Sequence, residues 1–125
     1  MSTNVAKFPT GELISDEYRE LNRQLHDDKP EYGTSGANYA DMVLQIYMGT
    51  KSESILDYGA GKCTLSNALP QIPMQCYDPC IEGLETPPEP ADVVVCSDVL
   101  EHIEPELVDN VIADLMRLTN RVLFV

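Results

Sequence analysis

The stretch Ser54-Ile55-Leu56-Asp57-Tyr58-Gly59-Ala60-Gly61-Lys62-Cys63 decides the fold. A short apolar run ends in an acid, crosses a loop with glycine at alternate positions and enters a helix at Thr64. The run reads as a buried strand. Gly59 and Gly61 let the chain turn sharply and let another group approach where a Cβ would intrude. Asp57, at the carboxyl end of the strand, is expected to face the crevice where parallel α/β sheets bind ligands.

Two common nucleotide loops are excluded. The phosphate-loop pattern G-x-x-x-x-G-K-[ST] is absent, and the dinucleotide pattern G-x-G-x-x-G fails because Thr64 stands where its third glycine belongs. Downstream, Met74-Gln75-Cys76-Tyr77-Asp78 is a second short strand ending in an acid. Asp78 lies about twenty residues beyond Asp57, the offset of a ribose-binding carboxylate. Such a carboxylate can accept both hydroxyls of a ribose. The other reading of Asp78 is a turn former before Pro79. Ala91-Asp92-Val93-Val94-Val95-Cys96-Ser97-Asp98 is a third strand, apolar in its middle as a strand covered on both faces must be. It runs directly into Val99-Leu100-Glu101-His102-Ile103.

Together these segments resemble class I S-adenosylmethionine-dependent methyltransferases over roughly residues 32–125. Asp57-Tyr58-Gly59-Ala60-Gly61 resembles the first motif of that family, Tyr77-Asp78-Pro79 the second, and Asp92 to Ile103 the fourth. The family often carries a further glycine where Cys63 stands. The resemblance implies that Asp57, Tyr58, Gly59 and Gly61 seat the methionine part of S-adenosyl-L-methionine and that Asp78 takes its ribose. It implies that Ser97 and Asp98 line the crevice beside the methyl group, with Pro79 and Val99 as adenine-side or wall contacts. The implied activity is methyl transfer to an unidentified acceptor. A noncatalytic cofactor-binding or assembly subunit, completed by a partner chain, is the alternative.

Asp98, Glu101 and His102 are open to three readings. If a helical turn starts at Asp98, the three share a face. His102 can then act as a general base near neutral pH, with Asp98 as a second catalytic group. Alternatively the three contribute to a divalent-metal site, which resembles an acid-x-x-Glu-His arrangement in some RNA and quinone O-methyltransferases. In the third reading Glu101 and His102 merely cap and orient the loop.

Composition agrees with a single soluble domain. The chain has 125 residues, 43% of them hydrophobic, enough for one core. No apolar stretch is long enough to span a bilayer, and Met1 to Lys7 lacks the pattern of a secretory signal. The net charge of −13, with only eight Lys and Arg, argues against a nucleic-acid partner for the chain by itself, because phosphate binding wants a basic stripe. Cys63, Cys76, Cys80 and Cys96 form no paired C-x-x-C knuckles and read as reduced thiols in a cytoplasmic protein.

The expected architecture is a Rossmann-like α/β fold: a mainly parallel sheet of about four strands, ordered second-first-third-fourth, with right-handed connections and flanking helices. Residues 1–31 are read as a flexible segment, through about residue 14, followed by a surface helix. Ser15 caps that helix, and Tyr18, Leu21 and Leu25 form a narrow apolar face. Residues 32–125 form the cofactor-binding domain. Its first helix, about Asn38 to Tyr47, carries Val43, Ile46 and Tyr47 and stops at Gly49. Tyr32, Gly33, Thr34, Ser35 and Gly36 form either a lid over the cleft or an ordinary helix-entry loop. A short helix runs from Thr64 to Leu69, ended by Pro70. The last helix starts near Pro105 and buries Val108, Val111, Ile112 and Leu115. Arg121 to Val125 is the fourth strand.

Two features depart from the resembled family. About a dozen residues separate Asp78 from Ala91, barely one parallel crossover, so an adenine-contacting acid usually found there has no counterpart. The chain also stops at the fourth strand, where relatives continue. This predicts a bare apolar edge, covered in a longer product, by another copy in a homodimer or by a partner chain.

Overall fold

The computed structural model describes residues 12–28 and 35–125. Strands β1 (Ile55–Tyr58), β2 (Met74–Tyr77), β3 (Ala91–Val95) and β4 (Thr119–Phe124) all pair in parallel. Their order is β2-β1-β3-β4, as the sequence predicts. Central β1 is buried at every position and β3 at all but Asp92, which explains their unbroken apolar runs. The order changes direction between β1 and β3, and a sheet of this kind opens its ligand crevice beyond the carboxyl ends at such a point.

Helices α1 (Asp16–Asp28), α2 (Ala40–Gly49), α3 (Thr64–Ala68) and α4 (Val108–Leu118) complete the fold. Successive strand residues point to opposite faces, and this builds two cores. Leu56, Tyr58, Tyr77 and Val94 meet Val111, Leu115 and Leu118 of α4 on one face. Ile55, Val93 and Val95 meet Val43 of α2 and Leu65 of α3 on the other. Ala91 joins the α4 side although Val93 joins the opposite side; the break in period coincides with a register irregularity between Ala91 and Val93.

Several element ends differ from expectation. β3 ends at Val95, and the Cys96 N–H still reaches the Phe124 carbonyl of β4 (2.8 Å) before the chain leaves the sheet. β4 starts at Thr119, directly after α4. The helix expected from Asn38 is a 3-10 turn (Ser35–Tyr39) followed by α2, and α2 contains Gly49 as its last residue. A 3-10 turn at Pro105–Leu107 precedes α4. The buried stripe of α4 is Val111, Asp114, Leu115 and Leu118; Ile112, expected inside, is 42% exposed. Leu21 of α1 is likewise exposed.

Residues 1–11 and most of the expected lid, Tyr32 to Thr34, lie outside the described residues. Residues 12–15, by contrast, are tied to the domain. The Asn110 side chain donates to the Glu12 carbonyl (2.9 Å), Leu13 packs against the α4-side core, and the Ser15 N–H donates to Glu104 (2.8 Å). The Ser15 hydroxyl accepts the Tyr18 N–H (3.2 Å), which is the expected helix cap.

The β2–β3 link contains no helix. It folds as successive turns closed by Asp78 N–H to the Leu84 carbonyl (2.9 Å) and Leu84 N–H to the Ile81 carbonyl (3.0 Å). Its end is stitched to edge strand β2 by the Gln75 amide, which exchanges two hydrogen bonds with the Glu89 backbone. Among the described residues no helix is long and apolar enough to cross a membrane.

Candidate functional site

The carboxyl ends of β1 and β2 are woven together by the glycine loop. Gly59 and Ala60 both donate their N–H to the Tyr77 carbonyl, at 2.7 and 2.9 Å. Gly61 donates its N–H to Asp78 Oδ2 at 2.9 Å. Cys63 closes the loop by donating to the Ala60 carbonyl at 3.0 Å. Positive φ at Gly59 (+85°) and Gly61 (+57°) makes this path possible. Thus these amides, expected to seat a ligand, are already used in holding the loop.

Gly59 has a second reason to be glycine. A Cβ there would collide with the Val99 side chain. Val99, expected as a wall contact, therefore closes over Gly59 and brings the segment after β3 onto the glycine loop.

The two strand-tip acids come together. Asp57 is 4% exposed and Asp78 is 8% exposed. Burial, and then the charge of Asp78, push the Asp57 carboxyl up to about 7. Asp78 Oδ2 holds the Gly61 N–H and Oδ1 holds the Cys80 N–H (2.9 Å). The turn-forming role read from the sequence is thus real. With the Cys80 thiol, which also hydrogen-bonds Asp78, it occupies most of the roughly four acceptor directions on the carboxylate. Nearby, the Thr64 hydroxyl is buried with no hydrogen-bond partner, an arrangement that costs free energy unless something else satisfies it.

Tyr58 differs from its expected role. Its ring is buried under α4, 5.0 Å from the Tyr77 ring, and its hydroxyl donates to Asp114 (2.8 Å). The side chain belongs to the framework because strand alternation turns it away from the face that holds Asp57. Pro79 follows Asp78 into the β2–β3 turns, half-buried, and Ser97 is half-buried after β3.

Asp98 is exposed and adopts φ +56°. This left-handed residue breaks the helical turn that would align Asp98, Glu101 and His102. The following 3-10 turn is only Leu100–His102, and Glu101 and His102 both face solvent. Among the described residues no three His, Cys, Asp or Glu side chains converge as a metal-binding group. Instead, Asp98 Oδ2 accepts a hydrogen bond from the Tyr39 hydroxyl at 2.9 Å.

Tyr39 was not among the residues read as functional. Its only sequence signal was its place at the entrance of a helix before the first strand. Asp114 was missed too; its spacing from Val111, Leu115 and Leu118 put an acid inside an apolar stripe. All four cysteines are free: Cys80 and Cys96 are buried, Cys63 and Cys76 only partly. Burial pushes the Cys96 thiol up to about 12.

No protein family matches the chain, and neither does any curated protein or solved structure. The resemblance to methyltransferases therefore rests on the sequence motifs.

Proposed function

We propose that this chain is the cofactor-binding core of an S-adenosylmethionine-dependent methyltransferase. One observation carries the reading: Asp57 and Asp78, from the tips of adjacent parallel strands, converge beside a glycine loop closely enough for one charge to burden the other. Buried like charges are expensive. Their pairing at the carboxyl ends of β1 and β2, beside the switch between β1 and β3, fits a ligand that brings positive charge and hydroxyl donors. The remaining acceptor capacity of Asp78 suits a ribose hydroxyl, and the unpartnered Thr64 hydroxyl offers a further polar contact.

When bound, S-adenosylmethionine supplies a methyl group already activated on a sulfonium. The chain's own task is then to bind and orient. Asp78 holds the nucleoside end while its bonds to Gly61 and Cys80 fix its rotamer. Asp57 answers the positive charge from a desolvated position, where attraction is stronger than in water. Val99 packs closely on the Gly59 bend and forms part of the wall beside the glycine loop. Asp98, held by Tyr39, lines the cofactor crevice beside the methyl group.

Calorimetric titration with S-adenosylmethionine, and separately with NAD, tests the assignment. Saturable binding of the first supports it; binding of NAD alone overturns it. A noncatalytic binding module is favoured by one feature, the failure of Asp98, Glu101 and His102 to share a face. S-adenosylhomocysteine formation across acceptor panels separates the two: turnover supports the enzyme, and binding without turnover supports the module.

A further inference from the structure

Tyr39 stands where three separate parts of the chain meet. It ends the 3-10 turn Ser35–Tyr39 that leads into α2. Its ring meets Phe124 of β4 edge-on, with centroids 5.9 Å apart and planes at 63°. The same ring packs against the core formed by Val43, Ile55 and Val95. From that anchored position its hydroxyl reaches across 59 residues of sequence to Asp98 Oδ2 at 2.9 Å.

The partner residue is unusual. Asp98 is exposed and sits at φ +56°, a left-handed conformation that most residues with a Cβ avoid and that Asp adopts more readily than most. Exposed residues relax from such conformations unless the surroundings over-determine them. Here the following residue, Val99, is pinned over Gly59, and the carboxylate is held by Tyr39. The Asp98 hydrogen bond, then slight desolvation, then the charges of Asp98 and Glu101 push the Tyr39 phenol up. It therefore keeps its proton and remains a donor across the neutral range. A neutral donor orients a carboxylate without cancelling its charge.

We propose that Tyr39 is a positioning residue, whose hydroxyl holds the Asp98 carboxylate in one orientation at the mouth of the crevice beyond β3. This role rests on the methyl-transfer reading. Tyr39 acts through Asp98, and its own ring serves as the anchor.

The test is a cycle of titrations of the full chain with S-adenosylhomocysteine, using wild type, Tyr39→Phe, Asp98→Gly and the double variant. Phenylalanine keeps the ring against Phe124 and removes only the hydroxyl. Glycine removes the carboxylate and accepts the left-handed backbone. The expected result is that Tyr39→Phe weakens binding about three- to tenfold, the worth of one hydrogen bond. In the Asp98→Gly background the same change should have no further effect. A loss of equal size in both backgrounds would mean that Tyr39 acts by packing alone and would overturn the role. Unchanged affinity of Tyr39→Phe would overturn it as well, leaving methyl transfer standing. Absence of binding by the wild type would remove the methyl-transfer reading and this role together. Should Tyr39→Phe fold poorly, the comparison of Asp98→Gly with Asp98→Asn decides. Asparagine still accepts from Tyr39 and tolerates φ +56°, so it should bind more tightly than glycine; equal affinities would overturn the role.

Discussion

Two acids are buried on opposite faces of one sheet and meet opposite surroundings. Asp114, on α4, is 1% exposed. It accepts the Tyr58 hydroxyl at 2.8 Å and the Arg117 guanidinium at 2.6 and 3.1 Å. Asp57, on β1, is 4% exposed and faces Asp78, a like charge that joins burial in pushing its carboxyl up to about 7. The first acid is complete within the fold. The second is crowded by a like charge, and on the proposed function it is the position that a bound ligand would complete. The contrast separates framework from site: neutralised buried charge specifies packing, whereas crowded buried charge marks a binding position.

The largest effect is expected where the network is closed. Asp114→Ala removes the acceptor of the buried Tyr58 hydroxyl and one of the partners of the Arg117 guanidinium. Removing one member of a buried pair costs about 3–5 kcal/mol, so the urea midpoint should fall steeply at every pH from 5 to 8. A change below about 1 kcal/mol would erase the distinction between the two acids.

Asp57→Asn should act in the opposite direction. The native carboxyl titrates near 7 and the unfolded one near 3.8. The native state thus holds a proton that the unfolded chain releases, and stability falls as pH rises from about 4 through about 7. An amide has no such loss. Between pH 5 and pH 8 the variant should gain on wild type by about 2–3 kcal/mol, since a tenfold change in proton affinity is worth about 1.4 kcal/mol. Parallel stability profiles for the two proteins would show that Asp57 is not charge-crowded.

This asymmetry was only half visible in the sequence. The strands and their order were legible because doubly covered parallel strands must be apolar and because acids mark their carboxyl ends. Asp57 and Asp78 were legible for the same reason. Asp114 was hidden because helical periodicity was read through Val108 and Ile112, and the true stripe is rotated toward Leu107 and Leu118. Arg117 three residues on, ready to neutralise it, was the available clue. Tyr39 and Asp98 were illegible as a pair, since nothing local links residues 59 apart. The left-handed turn at Asp98 also defeated a pattern that reads as helix.

Asp78 sharpens the comparison between folding and binding within one residue. Its carboxylate ties the glycine loop to the turn after β2, and little acceptor capacity remains beside the Cys80 thiol. Asp78→Ala should weaken S-adenosylmethionine binding by more than tenfold, about 1.4 kcal/mol. Asp78→Asn, which keeps an acceptor for Cys80, should retain more of the thermal stability than alanine while still losing affinity. If both variants bind normally by calorimetry, Asp78 is a turn former and the site shrinks to Asp57 and its neighbours.

The smallest effect tests whether strain gathers at the same end as the crowded charge. Cys63, immediately before α3, has φ 60° and ψ 31°, a left-handed conformation that costs a side-chain-bearing residue about 1–2 kcal/mol. Its N–H is bound to Ala60 and its carbonyl accepts the Asn67 N–H, so the backbone cannot relax without opening both the loop and the first turn of α3. Cys63→Gly relieves the clash but frees the unfolded chain, which offsets about 0.5–1 kcal/mol. The net gain should be about 0.5–1 kcal/mol, read as a modest rise in urea midpoint. Cys63→Ala keeps the Cβ and should show no gain, which separates backbone strain from loss of the thiol. Equal stability of the two variants would place the strain elsewhere. A gain confined to glycine would mean that Cys63 carries backbone strain just past the carboxyl end of β1, the end that also holds the crowded charge of Asp57.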